Sequence, residues 1–470
     1  PRLLTLWFSF TELPEDDGAA VAAGEKTRLG QHKETLTVEM EKLARRLGMC
    51  KWYPCLPQLA SRTQHSYSRT RNILALLLRD LLVTFPQHAI WHISTLLSSL
   101  SKPRKEFGLV VLQNAKKKVQ GDPNAAELLE EAAQLFKSLI QLSKNFPQDK
   151  HNRKMRHRIT PLSALWIVPT QAALQMVWPV PDSGVTQSVP LSSPAAGGAG
   201  HSCVTSRPYF PSDQMILAKF KDVAEVCTSK ARPKILTVYT VCGKSLRFLC
   251  KQEKSGDLRK DARMMEVNTV VNRLMQGEPE GRKRSLRLRT YSVICLNEEC
   301  GILEFIPHTK TVRSVITDAH TQIAPRKVIP FHKDVFEGFL AFQKQYEYDL
   351  DGMASAYRTH ILDWYRPFFH RWFLHRFSDP TEWLEARLNF TRSTAVWSAV
   401  GHVMGLGDRH TENMLLDETT AEMCHVDFDC LFDKGLVLQR PEIVPFRLTP
   451  NLVDAMGVTG VEGCFRRSME

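Results

Sequence analysis

The sequence predicts an α+β fold: a helical first stretch, a small β-rich region, and a second helical region after it. Three observations lead there. Apolar residues recur at helical spacing through residues 1–180, two strand-like runs flank a tight turn at Cys242-Gly243-Lys244, and a helical pattern running to Met404 delivers the chain into a glycine-flanked polar loop.

The helical stretch reads from its caps and periods. Asp122-Pro123 puts a capping side chain before a proline at the first helical position, where its missing N–H costs nothing. Leu128, Ala132, Leu135, Leu139, Leu142 and Phe146 then recur on one face until Pro147 stops the pattern. Thr35–Leu47 and the runs either side of Phe85-Pro86 read the same way, so stacked helical hairpins are expected, although no clean repeat is visible. The most apolar run, Ile73–Leu97, contains Arg79, Asp80, Pro86, His88 and His92, which a bilayer span would have to bury. It reads as a buried helix pair, not a membrane anchor.

Residues 181–206 are rich in Pro, Gly, Ser and Ala without periodicity and read as a flexible linker. Beyond it, Lys234–Val241 and Ser245–Lys251 predict a β-hairpin, and Ile302–Ile306 a further short strand. Leu286–Ile294 alternates, which predicts a strand with Arg287 and Arg289 on a solvated face. From about residue 330 helices return: Asp379-Pro380 opens one, Thr391–Met404 forms another, and Gly405 ends it. Two short strands, Asn413–Leu416 and Met423–Phe428, are expected around the turn Asp417–Glu422. A β-rich lobe followed by a larger helical lobe predicts a ligand cleft between the two.

Composition narrows the function classes. With 43% hydrophobic and 24% charged residues among 470, wholesale disorder is excluded. The 62 Lys and Arg against 50 Asp and Glu leave a net charge of +12, which permits contact with nucleic acid without demonstrating it. Two basic clusters, His151–Arg158 and Arg282–Arg289, read as a loop or linker and as a solvated sheet face. Eleven cysteines, an odd number without regular spacing, argue against a secreted disulfide scaffold and for reduced, intracellular thiols. The chain begins at Pro1 without a targeting segment and reads as a fragment.

The chemistry concentrates in Gly405-Leu-Gly-Asp-Arg-His-Thr-Glu-Asn413 and in His425-Val-Asp-Phe-Asp429. One carboxylate, one imidazole and one carboxamide share a loop, and a second carboxylate follows one hairpin later. Phosphoryl transfer needs such a set: a group to orient the attacking hydroxyl, and oxygen ligands for a Mg²⁺ that bridges phosphates. The step from Asp408 to Asn413 equals the Asp-to-Asn step of protein-kinase catalytic loops, and Asp427 stands where the metal-binding Asp of a DFG triplet would.

These motifs resemble those of the phosphatidylinositol 3-kinase-related protein kinases, most of all the ATR checkpoint kinase branch. Arg289-Thr-Tyr291, Glu299-Cys-Gly301, Arg392-Ser-Thr-Ala-Val396 and the run Pro441–Gly457 carry the likeness further, over about residues 215–470. The resemblance implies a FAT-like α-solenoid over 1–180, the linker at 181–206, a kinase N-lobe and hinge at 207–306, and a C-lobe at 307–470 that stops before the family's FATC tail. That truncation is expected to expose apolar faces of Val453, Met456 and Phe465. The implied cofactors are ATP and Mg²⁺, with Mn²⁺ as a substitute.

By position, the resemblance makes Asp408 the catalytic-loop aspartate and His410 the group stabilising the transferring phosphoryl. Asn413 and Asp427 become the metal ligands. Lys251 would contact the ATP phosphates, with Asp261 or Glu266 as partner and Lys254 as its rival. Thr228, Ser229 and Lys230 would lie in the phosphate-covering loop, which contains no glycine, and Glu304, Phe305 and Ile306 would form the hinge facing adenine. The implied activity is transfer of the ATP γ-phosphate to Ser or Thr followed by Gln in damage-response and replication-stress proteins, in the nucleus. An ATRIP-like subunit would dock outside this chain, recruitment to DNA would be indirect, and the full-length protein would form a dimer of heterodimers. A phosphoinositide lipid kinase is the alternative; against it, Cys430–Thr449 carries only Lys434, Arg440 and Arg447, well spaced. A non-catalytic scaffold is the other, and intact Asp408, His410, Asn413 and Asp427 speak against that.

Overall fold

The structure is a computed structural model that describes residues 2–13, 23–149, 151–160, 162–176, 209–229, 231–253, 257–323, 340–341, 344–345, 349–362, 367–438 and 441–470. The interval 181–206, together with Lys230 and Lys254, lies outside the described residues. By packing, the chain divides into two compact units: Pro1–Ala262 with Tyr291–Phe305, and Arg263–Thr290 with Ile306–Glu470. The expected boundaries at 180, 206 and 306 divide it by composition instead.

In the first unit the helices Ser68–Thr84, Pro86–Leu97, Lys102–Lys118 and Pro123–Lys144 pack on one another. The Asp122 carboxylate accepts the N–H of Ala125, as its capping position requires. This helix ends at Lys144 and does not reach Phe146, because Pro147 disfavours helical geometry in the residue before it. Leu74, Leu78, Leu81, Leu82, Leu128 and Leu129 are fully buried, and the rings of Trp91, Phe136 and Trp166 meet at 5.3–6.3 Å. Among the described residues no helix is long and apolar enough to cross a membrane.

Pro123–Lys144 also packs on a seven-stranded antiparallel sheet. Its strands are β1 (Lys154–Arg156), β2 (Leu217–Phe220), β3 (Val223–Val226), β4 (Lys234–Thr240), β5 (Ser245–Gln252), β6 (Val293–Cys295) and β7 (Cys300–Glu304). Their order is β1-β3-β4-β5-β7-β6, with β2 also paired to β4. The β4–β5 hairpin runs from Lys234 opposite Cys250 to Tyr239 opposite Ser245, as its alternation predicts. Two expectations are corrected. The basic cluster at His151–Arg158 is loop only in part: within it Lys154–Arg156 is a short edge strand, with Met155 opposite Ala224. Of Leu286–Ile294, only the end is strand. Leu288 is held at both backbone groups by the Asn272 side chain (2.7 and 2.8 Å), which takes the place of a ladder partner.

The second unit centres on one long helix, Pro380–Val403, where two were expected. Asp379 caps it by accepting the N–H groups of Thr381 and Glu382. Phe369, Phe373 and Phe390 form an aromatic cluster against it. Beside the helix lies a three-stranded sheet of β8 (Thr309–Thr311), β9 (Met414–Asp417) and β10 (Met423–His425), in the order β10-β9-β8. Met456 and Phe465 are buried and Val453 is half-buried, so the expected exposed apolar face does not form there.

Candidate active site

The polar loop begins where the long helix stops. Gly405 adopts a φ of +54°, a conformation costly for other residues, and reverses the chain. Residues 406–413 then lead into β9. The β9–β10 register pairs Met414 with His425, so Asn413 and Val426 become neighbours and the Val426 N–H donates to the Asn413 carbonyl at 3.0 Å. The hairpin thereby brings Asp427 beside the loop that carries Asp408, His410 and Asn413.

Within that loop each side chain is oriented by a backbone contact. Asn413 Nδ2 donates to the Asp408 carbonyl at 3.0 Å, and no hydrogen bond among the described residues claims its Oδ1. His410 Nδ1 accepts the Glu412 N–H at 3.2 Å, which puts the proton of a neutral ring on Nε2. That Nε2 lies 4.0 Å from Asp408 Oδ1, with both side chains about half exposed. Asp408 and Asp427 both have positive φ, +56° and +63°, a strained backbone that Asp tolerates better than most residues and that clusters at functional sites.

A buried layer supports these exposed groups. His425 stacks on Trp397 at 4.7 Å and Phe428 stacks on the same indole at 5.9 Å, so the residues either side of Val426-Asp427 point inward while Asp427 points out. Burial, and then the neighbouring Arg409 cation, hold His425 well below the usual histidine range and keep it neutral. Arg409 is 5% exposed. Its Nε donates to the Gly407 carbonyl (2.9 Å), Nη1 to that of Val426 (2.8 Å), and Nη2 to that of Asp427. One guanidinium thus joins the loop of Asp408 to the strand end of Asp427. Arg409 stands inside the sequence motif, but nothing local marks its role, because burial cannot be read from a local pattern.

Of the remaining predicted residues, Ser229, Lys251, Asp261, Glu304 and Phe305 belong to the first unit, and Glu266 and Ile306 to the second. Lys251 is on β5, and its Nζ meets Glu253 Oε2 at 2.7 Å, a partner the sequence reading did not consider. Asp261 is buried in the helix Leu258–Gly277. Glu266, the other expected partner of Lys251, pairs with Arg263 at 2.7 Å. Ser229 lies in the β3–β4 loop, where its carbonyl accepts the Arg232 N–H at 2.9 Å. The Glu304 carboxylate accepts the N–H groups of Gln171 (2.8 Å) and Ser292 (3.0 Å). Phe305 N–H donates to the Arg247 carbonyl at 2.9 Å, and the Arg247 guanidinium lies 4.1 Å from the Phe305 ring.

The solvated face expected for Arg287 and Arg289 holds for Arg287, whose side chain is 64% exposed, and is corrected for Arg289, at 22%. Arg287 reaches the Glu422 carboxylate with two bonds of 3.1 Å, and Arg289 pairs with the buried Asp417 at 2.5 Å. Both acids flank the turn between β9 and β10.

Among the described residues no three His, Cys, Asp or Glu side chains converge as a closed metal cage. Mg²⁺ takes one or two protein oxygens and completes its shell with water and phosphate. Asp427 and the unclaimed Oδ1 of Asn413 are oxygen donors of the required kind.

Residues 246–470 match the family described as phosphatidylinositol 3- and 4-kinase, and residues 35–136 match ATR-like HEAT repeats. The fold and the polar loop therefore define a kinase domain of the phosphatidylinositol 3- and 4-kinase class. The whole chain aligns with the serine/threonine-protein kinase ATR of Arabidopsis thaliana at 36% identity, over 17% of that protein. It aligns equally completely with protein kinase rad3 of Schizosaccharomyces pombe at 33% identity, over 19% of its length. The solved FAT and kinase domain of CtTel1 superposes with a TM-score of 0.75 at 25% identity, covering 99% of this chain and 31% of that one. The chain belongs to the phosphatidylinositol 3-kinase-related protein kinases, on their ATR-like branch. It spans less than a fifth of the length of these curated relatives.

Proposed function

We propose that the chain carries the catalytic centre of an ATR-like serine/threonine protein kinase. It transfers the γ-phosphate of ATP to Ser or Thr followed by Gln in DNA-damage and replication-stress proteins of the nucleus. The observation that carries this reading is the clustering of Asp408, His410, Asn413 and Asp427 around one hairpin, joined through Arg409.

In this reading Asp408 orients the substrate hydroxyl and takes its proton. A half-exposed carboxylate on a fixed backbone suits that task, since the hydroxyl must reach it from solvent. His410, with its Nε2–H free to donate, stabilises charge on the phosphoryl oxygens. Asp427 and Asn413 Oδ1 hold Mg²⁺, which neutralises phosphate charge when bound. Lys251 contacts the ATP phosphates, with Ser229 and Lys230 in the loop covering them and Asp261 on the helix behind. Glu304, Phe305 and Ile306 serve as the hinge for adenine. Residues 1–180 act as a FAT-like scaffold, 207–306 as the N-lobe and 307–470 as the C-lobe. An ATRIP-like subunit and the dimer contacts belong to the longer protein.

The test is phosphate transfer from ATP with Mg²⁺ to a Ser-Gln peptide, with a Ser-Ala peptide and a phosphoinositide in parallel. Transfer confined to the Ser-Gln peptide, and lost in Asp427→Asn, is expected. Transfer to the lipid would replace this reading with a lipid kinase, and transfer to nothing with ATP still binding would leave a scaffold.

A further inference from the structure

The structure assigns a positioning role to Glu442, which couples the segment after Asp427 to the backbone of the proposed catalytic aspartate. This inference rests on the kinase reading above for its activity readout. Glu442 lies 34 residues beyond Asp408, yet its Oε2 accepts the Asp408 backbone N–H at 2.8 Å. Asp408 is a non-glycine residue at φ +56°, so something must hold it there. A charge-assisted bond to its own amide is a direct means.

The carboxylate is wedged into a space that exists only because two glycines face it. A Cβ on Gly407 would come within 2.6 Å of Glu442 Oε2, and one on Gly435 within 2.8 Å. Glu442 is tied back in turn, its N–H donating to the Gly435 carbonyl at 3.1 Å. Upstream, the same segment lies along the start of the catalytic loop. Gly407 N–H donates to Cys430 O (2.9 Å), Phe432 N–H to Met404 O and Asp433 N–H to Gly405 O (both 3.0 Å). Residues 430–435 are therefore stitched to 404–407, and Glu442 closes the stitching on Asp408 itself. Disorder in that segment withdraws the acceptor and frees the Asp408 backbone, so the order of the segment sets how Asp408 is presented.

Hydrogen–deuterium exchange and steady-state kinetics on the 470-residue chain test this. In the unaltered chain the Asp408 amide should exchange slowly although its side chain is half exposed. Glu442→Ala should speed exchange at residues 405–413 and lower kcat on the Ser-Gln peptide by about 10- to 100-fold, with KM for ATP within about twofold. Glu442→Gln keeps an oxygen that can accept the amide and should recover most of both losses. Rapid exchange at Asp408 in the unaltered chain overturns the proposal, however the variants fold. So does a Glu442→Ala protein with full kcat, or a Gln variant as impaired as Ala. If the unaltered chain transfers phosphate to nothing, the kinase reading fails, and the exchange at Asp408 by itself upholds or overturns the coupling.

Discussion

Arg409 and Asp427 are 18 residues apart in sequence, yet the Arg409 guanidinium bonds the Asp427 carbonyl as well as those of Val426 and Gly407. The two acidic groups of the site therefore share one buried cation as their common support. A cation buried among carbonyls is satisfied only while all of them stay in place, so the loop and the strand end move together or not at all.

Arg409→Lys should expose that dependence. A lysine ammonium cannot span three carbonyls fixed to the fork of a guanidinium. A stability loss of about 3 kcal/mol is expected in urea unfolding, because buried carbonyls lose their donors. Phosphate transfer should fall at least tenfold, to order of magnitude, because both acidic groups lose their common support.

Asp408→Asn and Asp427→Asn should behave in the opposite way. Both side chains reach solvent, and Asn tolerates the positive φ that each position requires. Each should lower transfer by about a thousandfold or more. The melting temperature should stay within about 2 °C of the parent. A large drop in melting temperature would make the residue structural. Alanine is the poorer probe, since it adds backbone strain of about 1 kcal/mol at such a φ.

Arg289→Ala should act on stability through Asp417, which is 3% exposed. Burial by itself would raise the Asp417 carboxyl, but hydrogen bonds from Thr419 and Arg289 outweigh it and hold the group below the usual range. Its contribution is therefore present above the ordinary carboxylate range and is lost as pH falls through and below it. Removing Arg289 leaves a buried carboxylate without its cation, at a cost of about 3 kcal/mol. The stability difference between variant and parent should be smaller in unfolding curves at pH 3 than at pH 7.

Lys234 should give a slope at alkaline pH. It is 1% exposed, donates to the Ser143 carbonyl at 2.7 Å and lies 3.7 Å from the Phe146 ring. Burial, aided by the Arg232 cation, lowers it from 10.5 to about 8, against the opposing pull of Cys250 and Cys300. Between those two values the unfolded chain binds the proton and the folded one does not, so this group makes stability rise with pH across that window. The difference in urea midpoint between parent and Lys234→Met should change from pH 8 to 10.5 and be constant below it. A constant difference throughout would mean that Lys234 keeps its ordinary affinity.

The sequence by itself determined the elements whose signals are local. Asp122 and Asp379 act as caps, Pro147 ends a helix, the β4–β5 hairpin alternates, and Gly405 stops the long helix; each rests on chemistry within a few residues. The polar loop and its following hairpin were equally legible, because Asp408, His410, Asn413 and Asp427 lie within one short stretch. Only the tertiary structure decided which of the many charged residues are buried and whom they meet. Arg289 alternates with Arg287 like a residue of a solvated strand face but is largely covered and bonds the buried Asp417, more than a hundred residues on. Lys234, Arg409 and Glu442 look like ordinary surface charges in the sequence. The physical reason is that burial of a charge depends on partners supplied by distant segments, and a local pattern carries no record of them.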